Sequence, residues 1–188
     1  TDACGNSTTV TQTINVNDTQ APVVTGTIPA STVEGCGPTD VPAAATTVAA
    51  LEALGIQIAD ACTPDANLVV TSSDASSGTC PLVITRTYTI TDACGNSTTV
   101  TQTINVNDTQ APVVTGTIPA STVEGCGPTD VPAAATTVAQ LEALGITIAD
   151  ACTPDANLVV TSSDASSGTC PLVITRTYTI TDACGNST

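Results

Sequence analysis

Residues 91–180 repeat residues 1–90 at every position but two, and residues 181–188 open a third copy. Any fold open to one copy is open to the other, so the chain is an array of one unit. A period of 90 residues exceeds the roughly 20–50 of solenoid units that must stack on a neighbour to be stable. Each copy therefore has the size of a whole small domain. Composition then limits what that domain does. There is no His, Met, Trp or Phe, and Arg86 and Arg176 are the only cationic side chains. Histidine is the commonest general base, and Lys supplies Schiff bases and phosphate contacts. A chain without either has few ways to run a reaction near neutral pH. No enzyme is expected, and no residue is assigned a catalytic or cofactor-binding role. A formal charge of -15 opposes nucleic acid, whose phosphates must be neutralised on binding. No apolar run approaches the roughly 20 residues that cross a bilayer, so this segment is not expected to insert into a membrane.

Thr fills 18 of the 90 positions in one copy, and β-branched residues favour strands. Leu82, Ile84, Arg86, Tyr88 and Ile90 alternate with Val83, Thr85, Thr87 and Thr89, which is a strand period. Val100, Ile104 and Val106 likewise alternate with Thr99, Thr101 and Thr103. The turn residues Asp92–Ser97 between these two runs make them a hairpin. Further strands are expected at Pro22–Ile28, Ile56–Ala59 and Leu68–Ser72. One helical patch, Thr46–Gly55, carries Val48, Leu51 and Leu54 at helical spacing, with Gly55 as its C-terminal cap. The two differences between copies fall here and nearby, Ala50 becoming Gln140 and Gln57 becoming Thr147. Gln140 is expected to complete a capping box with Thr137, and Thr147 to sit on an outward strand face.

The expected fold is all-β: tandem immunoglobulin-like β-sandwich domains, each with one short helix, arranged as an extended rod. Each domain should lengthen the rod by about 40 Å, from strands of roughly nine residues plus loops. The polar runs Asn17–Pro22 and Asn107–Pro112 mark the boundaries. They divide the chain into 1–20, the closing strand of a preceding copy with its linker; 21–110, a complete copy; and 111–188, a copy short of its closing strand. Both ends thus cut through a hairpin, and with no Met the chain is expected to be a window on something longer.

Nine cysteines stand at 4, 36, 62, 80, 94, 126, 152, 170 and 184. No two have zinc-finger spacing and no His accompanies them, so disulfides and an oxidising, extracellular or cell-surface location are expected. Cys80 and Cys94 flank a strand of about 46 Å, far beyond the roughly 7 Å that a disulfide spans between Cα atoms. An up-and-down strand path puts Cys36 and Cys80 low and Cys62 and Cys94 high. The expected pairs are Cys36 with Cys80, Cys62 with Cys94, Cys126 with Cys170 and Cys152 with Cys184. The rival pairs Cys36 with Cys62 and leaves Cys80 to a non-local partner. Cys4 then has no mate in the chain. Lacking Lys, the chain has no route to isopeptide staples.

Arg86 lies on the strand face of Ile84 and Tyr88, and its guanidinium is expected to pair with Glu34 or Asp74. The Tyr88 hydroxyl is expected to bond backbone. Asp18, Asp60, Asp65 and Asp92 fall in loops at one expected domain end; Asp108, Asp150, Asp155 and Asp182, with Asn186, do so at the next. On the plainer view these residues cap turns and the chain takes no cofactor. The sharper expectation is that such hard oxygen donors, converging from a linker and two loops, hold Ca2+ at the junction between domains.

The run Thr85–Ser97 (TRTYTITDACGNS), followed by a Thr-rich strand and Asn-Asp-Thr-Gln-Ala-Pro, resembles the HYR-like, immunoglobulin-like repeats of very large secreted surface proteins in Bacteroidota. Similar arrays occur in the giant adhesin of flavobacterial gliding motility. The resemblance implies a β-sandwich, export, and a stalk or adhesive filament whose partners are neighbouring copies of the same repeat. Two other roles stay open: a weak multivalent module that binds glycans or abiotic surfaces, and a fibre subunit completed by strand donation between chains.

Overall fold

The computed structural model describes residues 1–188. The chain is mostly β and divides into two compact units. One comprises Thr1–Pro29, Ala44–Ser73 and Thr87–Thr101, the other Ala30–Ala43, Asp74–Arg86 and Gln102–Thr188.

The first unit is built on a helix and short strands. Helix α1 (Val48–Glu52) starts at Thr47, whose extended backbone lets its side chain accept the Ala50 N–H at 3.2 Å. Gly55, with a φ of +107°, supplies the left-handed residue that ends the turn. Val48 and Leu51 face inward. Strand β1 (Val23–Thr25) runs antiparallel to β3 (Gln57–Ala59), with Val24 opposite Ile58. Val48, Leu51, Ile58, Val70, Tyr88 and Ile90 belong to one aliphatic core. The Tyr88 hydroxyl accepts the Ala45 N–H at 3.3 Å, so the one aromatic ring of this core is anchored to backbone, as expected.

The expected strand Pro22–Ile28 is interrupted. β1 stops at Thr25, Gly26 turns the chain with φ of +95°, and β2 (Ser31–Glu34) forms beyond it. β2 lies parallel to β6 (Ser97–Asn107), Ser31 opposite Ile104 and Glu34 opposite Asn107. With β5 (Leu82–Thr91) and β4 (Val69–Ser77) it makes a four-stranded sheet in the order β2-β6-β5-β4. β4 runs well past the expected Leu68–Ser72. Its Ser and Asp residues are exposed and carry no apolar alternation, so backbone pairing with β5 and the ion pair of Asp74 with Arg86 extend it.

In the second unit Ile84, Ile104 and Val106 form a small core, packed by Val33, Val41 and Leu82. The second copy supplies β7 (Val113–Gly116) antiparallel to β8 (Ile146–Ala149), α2 (Val138–Glu142), and the antiparallel pair β9 (Val159–Ser167) and β10 (Val173–Thr181). Its core comprises Val138, Leu141, Ile146, Ile148, Leu158, Val160 and Ile180. Thr147 is exposed opposite Thr115, and the β7–β8 ladder is one residue pair longer than its β1–β3 counterpart. Gln140 caps one residue earlier than expected: its Oε1 accepts from the Thr136 N–H at 2.8 Å, while the Thr137 hydroxyl accepts the Gln140 N–H.

Candidate metal centre and its disulfides

The cysteines correct the expected pairing. Cys36 is bonded to Cys152 and Cys80 to Cys184, with Cα separations of 4.9 and 5.3 Å. None of the pairs Cys36–Cys80, Cys62–Cys94, Cys126–Cys170 or Cys152–Cys184 forms; Cys4, Cys62, Cys94, Cys126 and Cys170 are unbonded and exposed. The reason lies in the repeat. Cys152 and Cys184 are the second-copy counterparts of Cys62 and Cys94. The rival pairing of Cys36 with Cys62 named the correct repeat positions in the wrong copy, and the non-local mate of Cys80 is Cys184.

Local structure delivers these cysteines. β2 ends at Glu34 beside Asn107, and Gly35 donates its N–H to the Asn107 carbonyl at 3.3 Å. A Cβ at Gly35 would lie 2.5 Å from that of Asp40, so only glycine allows the next turn to close. There Asp40 Oδ2 accepts the N–H groups of Cys36 and Gly37 at 2.7 and 3.0 Å. Glu34 accepts from the Thr109 hydroxyl at 2.6 Å and its N–H at 3.0 Å, which holds the Glu34 carboxyl below its ordinary range. A cavity of about 90 Å³ lies beside Cys36, Cys80, Cys152, Cys184 and Asp108. That is room for a few waters and too little for an organic substrate.

Beside the disulfides stands an acidic cluster. One carboxylate oxygen from each of Asp108, Asp150 and Asp182 lies within 4.8 Å of the others, and Asp18, Asp60 and Asp92 form the same arrangement in the first unit. Each Asp first organises its own loop. Asp150 Oδ1 accepts the N–H groups of Cys152 and Thr153. Asp182 Oδ1 accepts those of Cys184 and Asn186, and Asp108 Oδ1 that of Gln110. Asn186 joins linker to loop, donating from Nδ2 to Asp182 Oδ2 at 2.7 Å and to the Asp108 carbonyl at 3.0 Å. Asn96 does the same for Asp92 and Asp18. The turn-capping role expected of these residues is thus present, but it uses only part of their oxygen. Asp108 Oδ2, Asp150 Oδ2 and Asp18 Oδ2 are buried without a hydrogen-bond partner. Asp65 and Asp155 are not in the clusters; each opens a short 3-10 helix instead.

The electrostatics of this cluster are unbalanced. Two like unit charges about 4 Å apart repel by roughly 4 kcal/mol at an effective dielectric near 20. Asp108 is only 3% exposed, and burial, with the charges of Asp150, Asp182 and Glu34, pushes its carboxyl up. Asp182 is held below its ordinary value: burial opposes its charge, but donation from Asn186, Cys184 and Gly185 outweighs that. Asp92 behaves likewise through Asn96, Cys94 and Gly95. Charge from Asp18 first, then burial and Asp60, raises the Cys62 thiol. Both Arg side chains are paired elsewhere, Arg86 with Asp74 and Arg176 with Asp164. Of the two partners expected for Arg86, the structure selects Asp74; the guanidinium also donates to the Pro42 carbonyl.

Three hard oxygens within 4.8 Å of one another match a calcium ion, whose ligands at about 2.3–2.6 Å stand no more than roughly 5 Å apart across it. The residues present fit that ion. Six of the eight Asp residues singled out in the sequence are gathered into the two clusters.

Residues 38–106 match the family described as HYR-like domain with 4 cysteines. This stretch contains Cys62, Cys80 and Cys94, with Cys36 just upstream. No curated protein matches the chain.

Proposed function

We propose that the chain is a structural segment of an extracellular surface filament or adhesin stalk. Its repeats are tandem immunoglobulin-like sandwiches, and each junction is held by a pair of disulfides and a calcium ion. The observation that carries this reading is the disulfide pair: Cys36–Cys152 and Cys80–Cys184 both join one copy to the next. A device that binds copy to copy transmits tension and limits bending, as a stalk requires. The HYR-like match, the disulfides and the absence of both His and Lys support an exported, non-catalytic role. Asp108, Asp150 and Asp182 would hold the ion at this junction, and it would neutralise the carboxylates that linker and loops bring together.

Two measurements test the reading. Non-reducing peptide mapping should recover Cys36 linked to Cys152 and Cys80 to Cys184; links confined to one copy would remove it. Calcium titration should raise the unfolding temperature reversibly, worth about 2.7 kcal/mol at a hundredfold excess over Kd. Asp108→Asn with Asp150→Asn should abolish the rise at this junction. No shift at millimolar Ca2+ would leave the disulfides as the only clamp.

A further inference from the structure

Ion ligands and bonded cysteines share the same short segments of the second unit. Asp150-Ala151-Cys152 and Asp182-Ala183-Cys184 are the same tripeptide, and in each the Asp Oδ1 accepts the N–H of its own cysteine, at 2.9 and 2.8 Å. The third carboxylate is tied to the opposite cysteines. Asp108 follows Asn107, whose Oδ1 lies 3.3 Å from Cys80 Sγ and whose carbonyl accepts the N–H of Gly35, the residue before Cys36. Cys36 Sγ in turn lies 3.5 Å from the carbonyl of Ala151, the middle of one tripeptide. The cavity of about 90 Å³ is lined by all four bonded cysteines and by Asp108. Asp108, only 3% exposed, holds an oxygen with no hydrogen-bond partner, and Asp150 holds another.

We infer that cation occupancy and disulfide state are coupled at this site: the ion favours the bonds Cys36–Cys152 and Cys80–Cys184, and reducing them weakens its hold. The inference rests on the calcium ion of the stalk reading and adds its regulation. Without a cation, three carboxylates within 4.8 Å of one another repel. That force pushes apart the two Asp-Ala-Cys turns and the end of β6, the segments that must stay close for the sulfurs to remain bonded. The disulfides hold them against it, fixing Cα atoms at 4.9 and 5.3 Å, so the ligands are assembled before the ion arrives. With the bonds cut, the ion must gather the same ligands at a further cost in chain entropy.

Linkage makes the effect reciprocal. Whatever factor reduction takes from calcium affinity, saturating calcium adds to the equilibrium constant for forming the disulfides. Reducing each bond takes two electrons and two protons from a dithiol such as dithiothreitol, which leaves as its own cyclic disulfide, and yields two cysteine thiols. Couplings between sites run from about 5-fold to about 150-fold. In an oxidising medium rich in calcium both clamps close together. In a reducing medium poor in calcium both open, so the segment is held only where the two conditions coincide.

The test uses the whole chain with its exposed thiols capped by iodoacetamide. Asp18→Asn with Asp60→Asn empties the first cluster, and Asn keeps an Oδ1 that accepts the turn N–H groups. Titration calorimetry reads the calcium Kd before and after reduction by dithiothreitol, with circular dichroism following the fold. The expected result is a Kd about tenfold higher, or more, in the reduced chain. In parallel, mass spectrometry reads the fraction of each disulfide that survives graded dithiothreitol, in calcium and in KCl of equal ionic strength. Calcium should shift the reduction equilibrium by the same factor, and Asp108→Asn with Asp150→Asn should erase the shift. Where full reduction unfolds the chain, Cys36→Ser with Cys152→Ser keeps Cys80–Cys184 and should still raise Kd. Equal Kd values in the two redox states, equal protection by KCl, or protection that survives the Asn pair would overturn the inference; with calcium still bound to the oxidised chain, the stalk reading keeps its ion. No calcium binding to the oxidised chain would remove that ion, and the inference with it.

Discussion

The two copies differ in sequence at Ala50/Gln140 and Gln57/Thr147, yet they bury their strands differently. Ile84 is buried on β5, whereas Ile174 at the matching place on β10 is half-exposed. Ile28 is 8% exposed and Ile118 40%. Arg86 and Arg176 make the same bidentate contact to Asp74 and Asp164, but their side chains are 7% and 20% exposed. Helix, short ladder and acidic loops are nearly indistinguishable between copies. The difference follows β6. Where it is present, Ile104 and Val106 cover Ile84; where it is not, the sheet stops at β10. One part of the repeat therefore closes from local sequence, while the other is buried by the strand that follows the Asp92–Ser97 turn.

The comparison is broken most severely at the junction. Replacing both Cys36 and Cys80 with Ser should cost about 2–4 kcal/mol for each disulfide, read as a lower urea midpoint, and should free the second copy to unfold separately. A single unchanged transition would show that the disulfides do not couple the copies. Next in size, Ile84→Ala should cost about 2–5 kcal/mol by opening a cavity. Ile174→Ala should cost clearly less, because that side chain is only partly buried. Equal losses would mean that Ile174 is buried in solution as deeply as Ile84.

Asp74→Asn should destabilise more than Asp164→Asn, since it strands a more deeply buried guanidinium. Donation from Arg86 and Arg176 holds both carboxyls below their ordinary range. A depressed folded value gives stability that is present above the unfolded value near 3.8 and lost as pH falls through the folded one. Acid titration should therefore lower the unfolding midpoint of the parent below that pH, and the two Asn variants should flatten the dependence. The smallest effects serve as controls. Thr47→Ala and Thr137→Ala should each cost about 1 kcal/mol, equally in both copies, because neither cap touches β6. A large inequality would locate the asymmetry in the helices instead.

Much of this was legible from the residues. Period-two runs placed β5 and β6, helical spacing with Gly55 placed α1, and the partner of Arg86 was narrowed to Glu34 or Asp74, with the position of β4 beside β5 deciding for Asp74. The interrupted first strand was harder to see. β2 is four residues long and exists because it lies parallel to β6, far along the chain, a pairing that no local pattern encodes. The polar end of β4 was invisible for the same reason. Among the acidic residues, those in linker and turn were anticipated as a group, while Asp65 and Asp155 were included on loop position alone and went to helix starts.

The sequence by itself determined that the chain is an aliphatic, acidic, cysteine-stapled array with neither His nor Lys, because composition and a 90-residue period are properties of the chain and need no geometry. The tertiary structure alone decided which copy each cysteine reaches. Identical repeats make a partner within a copy and its counterpart in the next chemically equivalent, and only proximity, 4.9 and 5.3 Å between Cα atoms, separates them.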